Sequence, residues 1–215
     1  MGSVINMDAQ TLLETISDQG IVAVLRSRSV EQALEVARAC LLGTVRSIEV
    51  TFSVPQADEA IAALVREGDA VVGAGTVLTI EQAQLAHAAG AAFIVGPNFD
   101  PQIARFCAEV EVPYIPGCMT VNEMLAANKA GCEVVKLFPS NQFDPSFLEA
   151  IHAPLPELKI MPTGGIDLDN TASWIAAGAF AVGVGGNLTK VIDGDYGRIT
   201  RAARDYREQI SIGRR

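Results

Sequence analysis

Lys136 and Glu49 are the two residues whose types and surroundings could support covalent chemistry. Each lies within a short run of β-branched and apolar residues, Val134-Val135-Lys136-Leu137-Phe138 and Ser47-Ile48-Glu49-Val50-Thr51. Side chains alternate between the two faces of a strand. If Val135, Leu137, Ile48 and Val50 face a layer of helices, then Lys136, Glu49 and Thr51 face an aliphatic interior. Arg26 ends a third such run, Val22-Ala23-Val24-Leu25-Arg26, and adds a second cation. Charges are costly to desolvate unless paired, so a Lys136–Glu49 ion pair that only fixes packing is one reading. The other is reactive. Burial lowers the pKa of an amine while a nearby carboxylate opposes that shift. A neutral amine fraction can add to a ketone as a Schiff-base nucleophile, and Glu49 could exchange protons at the adduct. Lys159 opens its run and belongs at the opposite mouth, Lys129 lies in a helical stretch and Lys190 in a loop.

A second constellation is glycine. Pro162-Thr163-Gly164-Gly165 and Gly183-Val184-Gly185-Gly186-Asn187 each follow an apolar run. Glycine lets backbone N–H groups approach a phosphate closely; tight turns without a ligand are the plainer alternative.

The elements that must position these residues recur regularly. Strands are predicted at Ile21–Leu25, Ser47–Thr51, Ala70–Ala74, Phe93–Val95, Val112–Ile115, Val134–Leu137, Lys159–Met161 and Ala181–Val184, with starts 19 to 26 residues apart. Alanine-rich amphipathic stretches such as Val30–Leu42, Gln56–Arg66, Glu81–Ala89 and Val121–Ala130 lie between them. Ser29, Thr79 and Thr120, each followed three residues on by Gln or Glu, mark helix starts as capping boxes. Gly43, Gly90, Gly131 and Gly178 end helices, where a left-handed residue is easiest as glycine. Such alternation predicts parallel strands joined by helical crossovers. The expectation is one α/β domain over residues 1–215, a (β/α)8 TIM barrel with an extra N-terminal helix over Asp8–Asp18. A doubly wound open sheet competes, but Gly73-Ala74-Gly75-Thr76-Val77-Leu78 lacks the third glycine of the dinucleotide fingerprint.

Composition narrows the partners. Of 215 residues, 49% are hydrophobic and 19% charged, which excludes disorder. The net charge of −9 argues against nucleic acid and anionic membranes as partners, since both require clustered cations. No apolar run reaches the roughly 20 residues of a membrane span. Met1 to Gln10 lacks the pattern of a secretory signal, and Asn6 breaks the myristoylation pattern. Cys40, Cys107, Cys118 and Cys132 contain no CxxC pair, so reduced thiols in a cytoplasmic protein are expected. With only His87 and His152, no metal site is expected.

Ile48-Glu49-Val50-Thr51, Gly73-Ala74-Gly75-Thr76-Val77-Leu78, Ile115-Pro116-Gly117, Val135-Lys136-Leu137-Phe138-Pro139 and Pro162-Thr163-Gly164-Gly165-Ile166 together resemble the 2-keto-3-deoxy-6-phosphogluconate (KDPG) / 4-hydroxy-2-oxoglutarate (KHG) aldolase family. The resemblance runs from about Gly20 to Arg207. It implies a cytoplasmic, metal-independent class I aldolase on a (β/α)8 barrel, homotrimeric, acting on a small and phosphorylated 2-oxo acid in carbohydrate metabolism of the Entner–Doudoroff type. Carried over by motif, Lys136 would form the imine and Glu49 would be the acid/base. Thr76 and Pro97 would border the pyruvate end, Phe138 would pack beside the lysine, and Arg26 would hold an anionic group. Gly164, Gly165, Gly185 and Gly186 would line a phosphate pocket, and Thr51, Thr163 and Asn187 complete the substrate-binding set. Two positions depart from the pattern: Ser53 stands where many members have arginine, and Gly186 where many have serine. Pro139-Ser140-Asn141-Gln142-Phe143 and Pro116-Gly117-Cys118 resemble the phosphogalactonate branch.

Three alternatives follow. One is a phosphogalactonate or hydroxyoxoglutarate aldolase. Another is oxaloacetate decarboxylation by the same imine, and the last is a phosphosugar-binding or isomerase barrel without a Schiff base.

Overall fold

The computed structural model describes residues 8–215; the expectations drawn from Met1–Met7 lie outside them. Nine strands are present among these residues: β1 (Ile21–Leu25), β2 (Ser47–Thr51), β3 (Val71–Gly75), β4 (Phe93–Val95), β5 (Tyr114–Ile115), β6 (Gly117–Cys118), β7 (Val134–Leu137), β8 (Lys159–Pro162) and β9 (Val182–Val184). All pairings are parallel. They form a six-stranded sheet, β5-β4-β3-β2-β1-β9, and a three-stranded sheet, β6-β7-β8. The expected fifth strand, Val112–Ile115, is shortened to β5, and a further short strand, β6, that the sequence does not predict follows beyond Pro116. Pro116 has no N–H to place in a ladder, so β5 pairs with β4 on one side of it and β6 with β7 on the other. Across that break the amide of Lys136 donates to the Pro116 carbonyl at 2.8 Å. At the far edges Thr163 bridges Gly183, and the Phe180 amide donates to Ile160 at 2.9 Å.

Helices α2 (Val30–Leu42), α3 (Ala57–Glu67), α4 (Ile80–Ala88), α5 (Pro101–Glu109), α6 (Val121–Lys129), α7 (Ser146–His152), α8 (Leu168–Ala176) and the short α9 (Gly186–Thr189) follow the strands in turn. Ile21, Ala23, Leu25, Ile48, Val50, Val135 and Leu137 pack with these helices in one buried cluster. The opposite face carries a second cluster, Val22, Val71, Phe93, Val95, Ile115, Val134, Met161 and Ala181. Leu12, Leu13 and Ile16 of α1 (Ala9–Gln19) join that inner cluster. The N-terminal helix thus covers the inner face toward the strand N-termini, one residue out of the expected range, with Asp8 as its cap.

Ser29, Thr79 and Thr120 all cap as expected. Only Thr120 closes a full box; Gln32 and Gln82 instead accept from Arg28 and Leu78, one residue earlier. Gly90, Gly131 and Gly178 are left-handed. Gly43 is not: its φ is −90°, and Thr44 takes the left-handed turn at φ +70°. Glycine is needed at 43 for closeness, since a Cβ there would lie 2.4 Å from Ala203 Cβ of the long α10 (Tyr196–Gly213).

Candidate active site

Strand alternation delivers the two charged residues to the inner face. Glu49 sits mid-β2, registered against Val24 and Gly73. Lys136 sits mid-β7, registered against Gly117 and Met161. Both are buried, at 1% and 3% exposure, beyond the aliphatic layer that α1 covers. Neither belongs to any of the four ion pairs among the described residues, all of which are at the surface. Both Glu49 carboxylate oxygens are buried without a hydrogen-bond partner. That is the opposite of a satisfied structural pair, because an unpartnered buried carboxylate opposes folding.

Burial holds the Lys136 amine below the ordinary lysine value. The Glu49 charge opposes this shift and the Arg26 charge adds to it. Lys136 Nζ also lies 5.0 Å from the Phe138 ring centroid, a cation–π distance when the amine is protonated. A dry amine that is partly neutral is a nucleophile toward carbonyl carbon. Cys40, Cys107 and Cys118 are pushed up to about 12 by burial, and Cys132 to about 11. These buried thiols are therefore protonated near neutral pH and weak as nucleophiles.

The remaining candidates gather at the C-terminal ends of the strands. Arg26 leaves β1 exposed, with Nη1 2.9 Å from where a Cβ on Gly185 would stand. Thr51 is buried, donates to the Leu25 carbonyl at 2.7 Å, and lies 2.6 Å from Ser53 Oγ. Thr51 has one proton and Leu25 O can only accept, so Ser53 donates to Thr51. Ser53 thereby turns only acceptor lone pairs outward. Thr76 follows β3 in a left-handed conformation at φ +55°. The Pro97 carbonyl packs against Gly117, where a Cβ would come within 2.1 Å.

The two glycine loops differ. Gly164 and Gly165 are both left-handed, at φ +95° and +79°. Gly185 and Gly186 are not left-handed; a Cβ on Gly186 would meet nothing within 4 Å. Asn187 is tied down, its Nδ2 donating to Ile166 O at 2.7 Å. Thr163 is buried and fills the space beside Gly183. Ser140 and Asn141 gained no role from sequence reasoning. Ser140 Oγ donates to Gly164 O at 2.6 Å, and Asn141 packs over Gly165. Beyond the resemblance of Pro139-Ser140-Asn141-Gln142-Phe143 to the phosphogalactonate branch, their sequence signal is their place directly after the lysine strand, where Pro139 breaks the alternation. Among the described residues no group of three or more His, Cys, Asp or Glu is placed to hold a metal.

A family model described as "Aldolase: KDPG and KHG aldolase" matches residues 12–202. The chain belongs to the KDPG and KHG aldolase family. Members of this family are carbon–carbon lyases, so this family member is an enzyme of that class. A 2-dehydro-3-deoxy-phosphogluconate aldolase of Treponema pallidum (strain Nichols) is 41% identical over 168 residues, covering 77% of this chain and 80% of the relative. A 2-dehydro-3-deoxy-6-phosphogalactonate aldolase of Escherichia coli (strain K12) is 34% identical over 171 residues, covering 78% and 83%. A solved KDPG aldolase from Legionella pneumophila, with pyruvate captured at low pH as a covalent carbinolamine intermediate, matches with a TM-score of 0.83 at 28% identity. The match covers 90% of this chain and 96% of that one.

Proposed function

We propose that this aldolase cleaves KDPG, KHG or both to pyruvate plus glyceraldehyde 3-phosphate or glyoxylate through an imine on Lys136. The observation that carries the reading is the buried, pKa-lowered amine of Lys136 sharing an interior with the unpartnered carboxylate of Glu49. The covalent carbinolamine in the structurally similar aldolase supports it.

Lys136 Nζ attacks the C2 carbonyl carbon, and the carbinolamine loses water to give a protonated imine. Glu49, through a water, takes the C4 hydroxyl proton as the C3–C4 bond breaks. The bonding electrons pass into an enamine, and the aldehyde leaves. Glu49 returns the proton to C3, and water hydrolyses the imine to release pyruvate and the free amine. The iminium nitrogen is the electron sink, so no metal has a step in this sequence. A carboxylate held beside it favours the cationic intermediates.

Arg26, with Gly164, Gly165, Gly185, Gly186 and Asn187, would hold the anionic end of the substrate; Thr51, Thr76, Pro97, Phe138 and Thr163 would line the pyruvate end. The six- and three-stranded sheets would close as one (β/α)8 barrel in a single domain, with β5 and β6 counting as one strand interrupted at Pro116. The bonds at both sheet junctions support this. The chain would work in the cytoplasm as a homotrimer, as the family resemblance implies; buried free cysteines suit a reducing compartment.

Pyruvate plus borohydride, followed by peptide mapping, tests the nucleophile. A reduced pyruvyl adduct on Lys136 is expected, and its absence rejects the assignment. The galactonate relative favours a second reading, with phosphogalactonate as the substrate. Steady-state rates on KDPG, its phosphogalactonate epimer and KHG separate the two.

A further inference from the structure

The inner face carries glycine at positions 73, 75 and 183, and each is filled by a neighbour's side chain. The Phe93 ring lies where a Cβ on Gly73 would be, and Thr163 does the same at Gly183. At Gly75 the occupant is ionisable. A Cβ there would stand 1.9 Å from Glu49 Oε1, 2.5 Å from Cδ and 2.6 Å from Cγ. The register explains the contact: Glu49 pairs with Gly73 and Thr51 with Gly75, so the carboxyl leans one step along β3.

Two further observations give this contact meaning. Gly75 has no positive φ, so its backbone conformation does not demand glycine. And no hydrogen bond holds either Glu49 oxygen. A glutamate has three rotatable side-chain bonds, and here packing rather than hydrogen bonding sets the position of its carboxylate.

We propose that Gly75 is a positioning residue for the acid/base, its missing side chain being the slot that seats the Glu49 carboxylate. The proposal rests on the Lys136–Glu49 reading above and adds the residue that fixes where the proton is exchanged. A displacement of about 1 Å in a reacting group costs on the order of 10²-fold in rate. The slot therefore matters to turnover, not to imine formation as such.

The test is Gly75→Ala, Glu49→Asp and the double variant, each assayed for aldol cleavage and for pyruvate trapping on Lys136, with folding followed by circular dichroism. Gly75→Ala is expected to lower kcat by about 10²-fold with KM little changed, while trapping persists. Aspartate is one methylene shorter, so it withdraws the closest contact, that of Oε1; the approaches at the Cγ and Cδ positions are relieved by rotation about χ1 and χ2. The double variant should regain at least about 10-fold over Gly75→Ala, although Glu49→Asp alone is slower than the native enzyme. Native-like kcat in Gly75→Ala overturns the proposal. So does a double variant no faster than Gly75→Ala, since the effects would then be independent. If Gly75→Ala does not fold, the double variant must fold and turn over; a double variant that also fails to fold overturns the proposal. Loss of trapping in the unsubstituted protein overturns the Schiff-base reading, and this proposal with it. Normal trapping without rescue overturns this proposal alone.

Discussion

The Ser140 hydroxyl donates to the Gly164 carbonyl across 24 residues of sequence, at 2.6 Å. The amide of the same serine donates to Thr163 O at 2.9 Å. One buried residue therefore fastens the turn after the lysine strand to the glycine pair after β8. Ser140→Ala frees the Gly164 carbonyl and loosens that pair. A hydrogen bond is worth about 0.5–1.5 kcal/mol, so KM for a phosphorylated substrate should rise roughly 2- to 10-fold. Pyruvate trapping on Lys136 should be unchanged. An unaltered KM would separate this loop from substrate binding.

The reactive amine makes a signed prediction about pH. Because burial lowers the Lys136 pKa, the rising limb of kcat/KM should lie below the ordinary lysine value of 10.5. Glu49 raises that pKa and Arg26 lowers it. Glu49→Gln should therefore move the limb, or the pH dependence of trapping, to lower pH. Arg26→Met should move it to higher pH. Shifts of the opposite sign would contradict the electrostatic account of the site.

Glu49→Gln is isosteric and fits the same slot over Gly75, so the fold should persist. Removing the proton acceptor should reduce turnover by about 10²-fold or more, in line with general acid–base contributions. The measurement is kcat beside a thermal melt. Near-native turnover in a well-folded variant would falsify the acid/base role.

Ser53 faces outward with acceptor lone pairs only, because its proton goes to Thr51. It suits a substrate hydroxyl better than a second carboxylate. The expected result is a kcat/KM for KDPG or its galactonate epimer at least roughly 10-fold above that for KHG, given the strength of a charged hydrogen bond forgone. Steady-state rates on the three substrates decide it; a preference for KHG would count against this reading of Ser53.

The last helix is stitched to the first. Arg207 donates to Gln19 O, and Arg214 to Ser17 O and, at 2.9 Å, to Asp18 O. These carbonyls end α1, which has no basic residue in its own last turn; cations there satisfy orphan acceptors and the helix dipole. The pair Arg207→Ala and Arg214→Ala should destabilise the protein by about 1–2 kcal/mol and expose the last turn of α1 to hydrogen exchange. Urea denaturation and amide exchange measure it, with pyruvate trapping as a control.

Much of the site was legible in advance because strand alternation is a local property. Ile48 and Val50 against the helices oblige Glu49 to face inward, and Val135 with Leu137 does the same for Lys136. The motifs around them led to the family. The strand count was not legible in the same way. Tyr114-Ile115-Pro116-Gly117-Cys118 contains one strand's worth of residues, but the missing N–H of Pro116 divides its ladder between two partners. The sequence predicts a left-handed cap at Gly43, whereas its real requirement is the close passage of α10, at Ala203, 160 residues away.

The sequence by itself determined which side chains face inward and that a lysine, a glutamate and two glycine loops lie toward the same strand ends. Period-two alternation and turn chemistry operate over a few residues, and the chain states them directly. Tertiary structure alone decided that the Glu49 carboxyl rests in the space of Gly75, that Arg26 stands over Gly185, and that the last helix caps the first. Those contacts depend on strand register, on the lean of side chains along a strand and on how helices pass one another. No local pattern of residues encodes them.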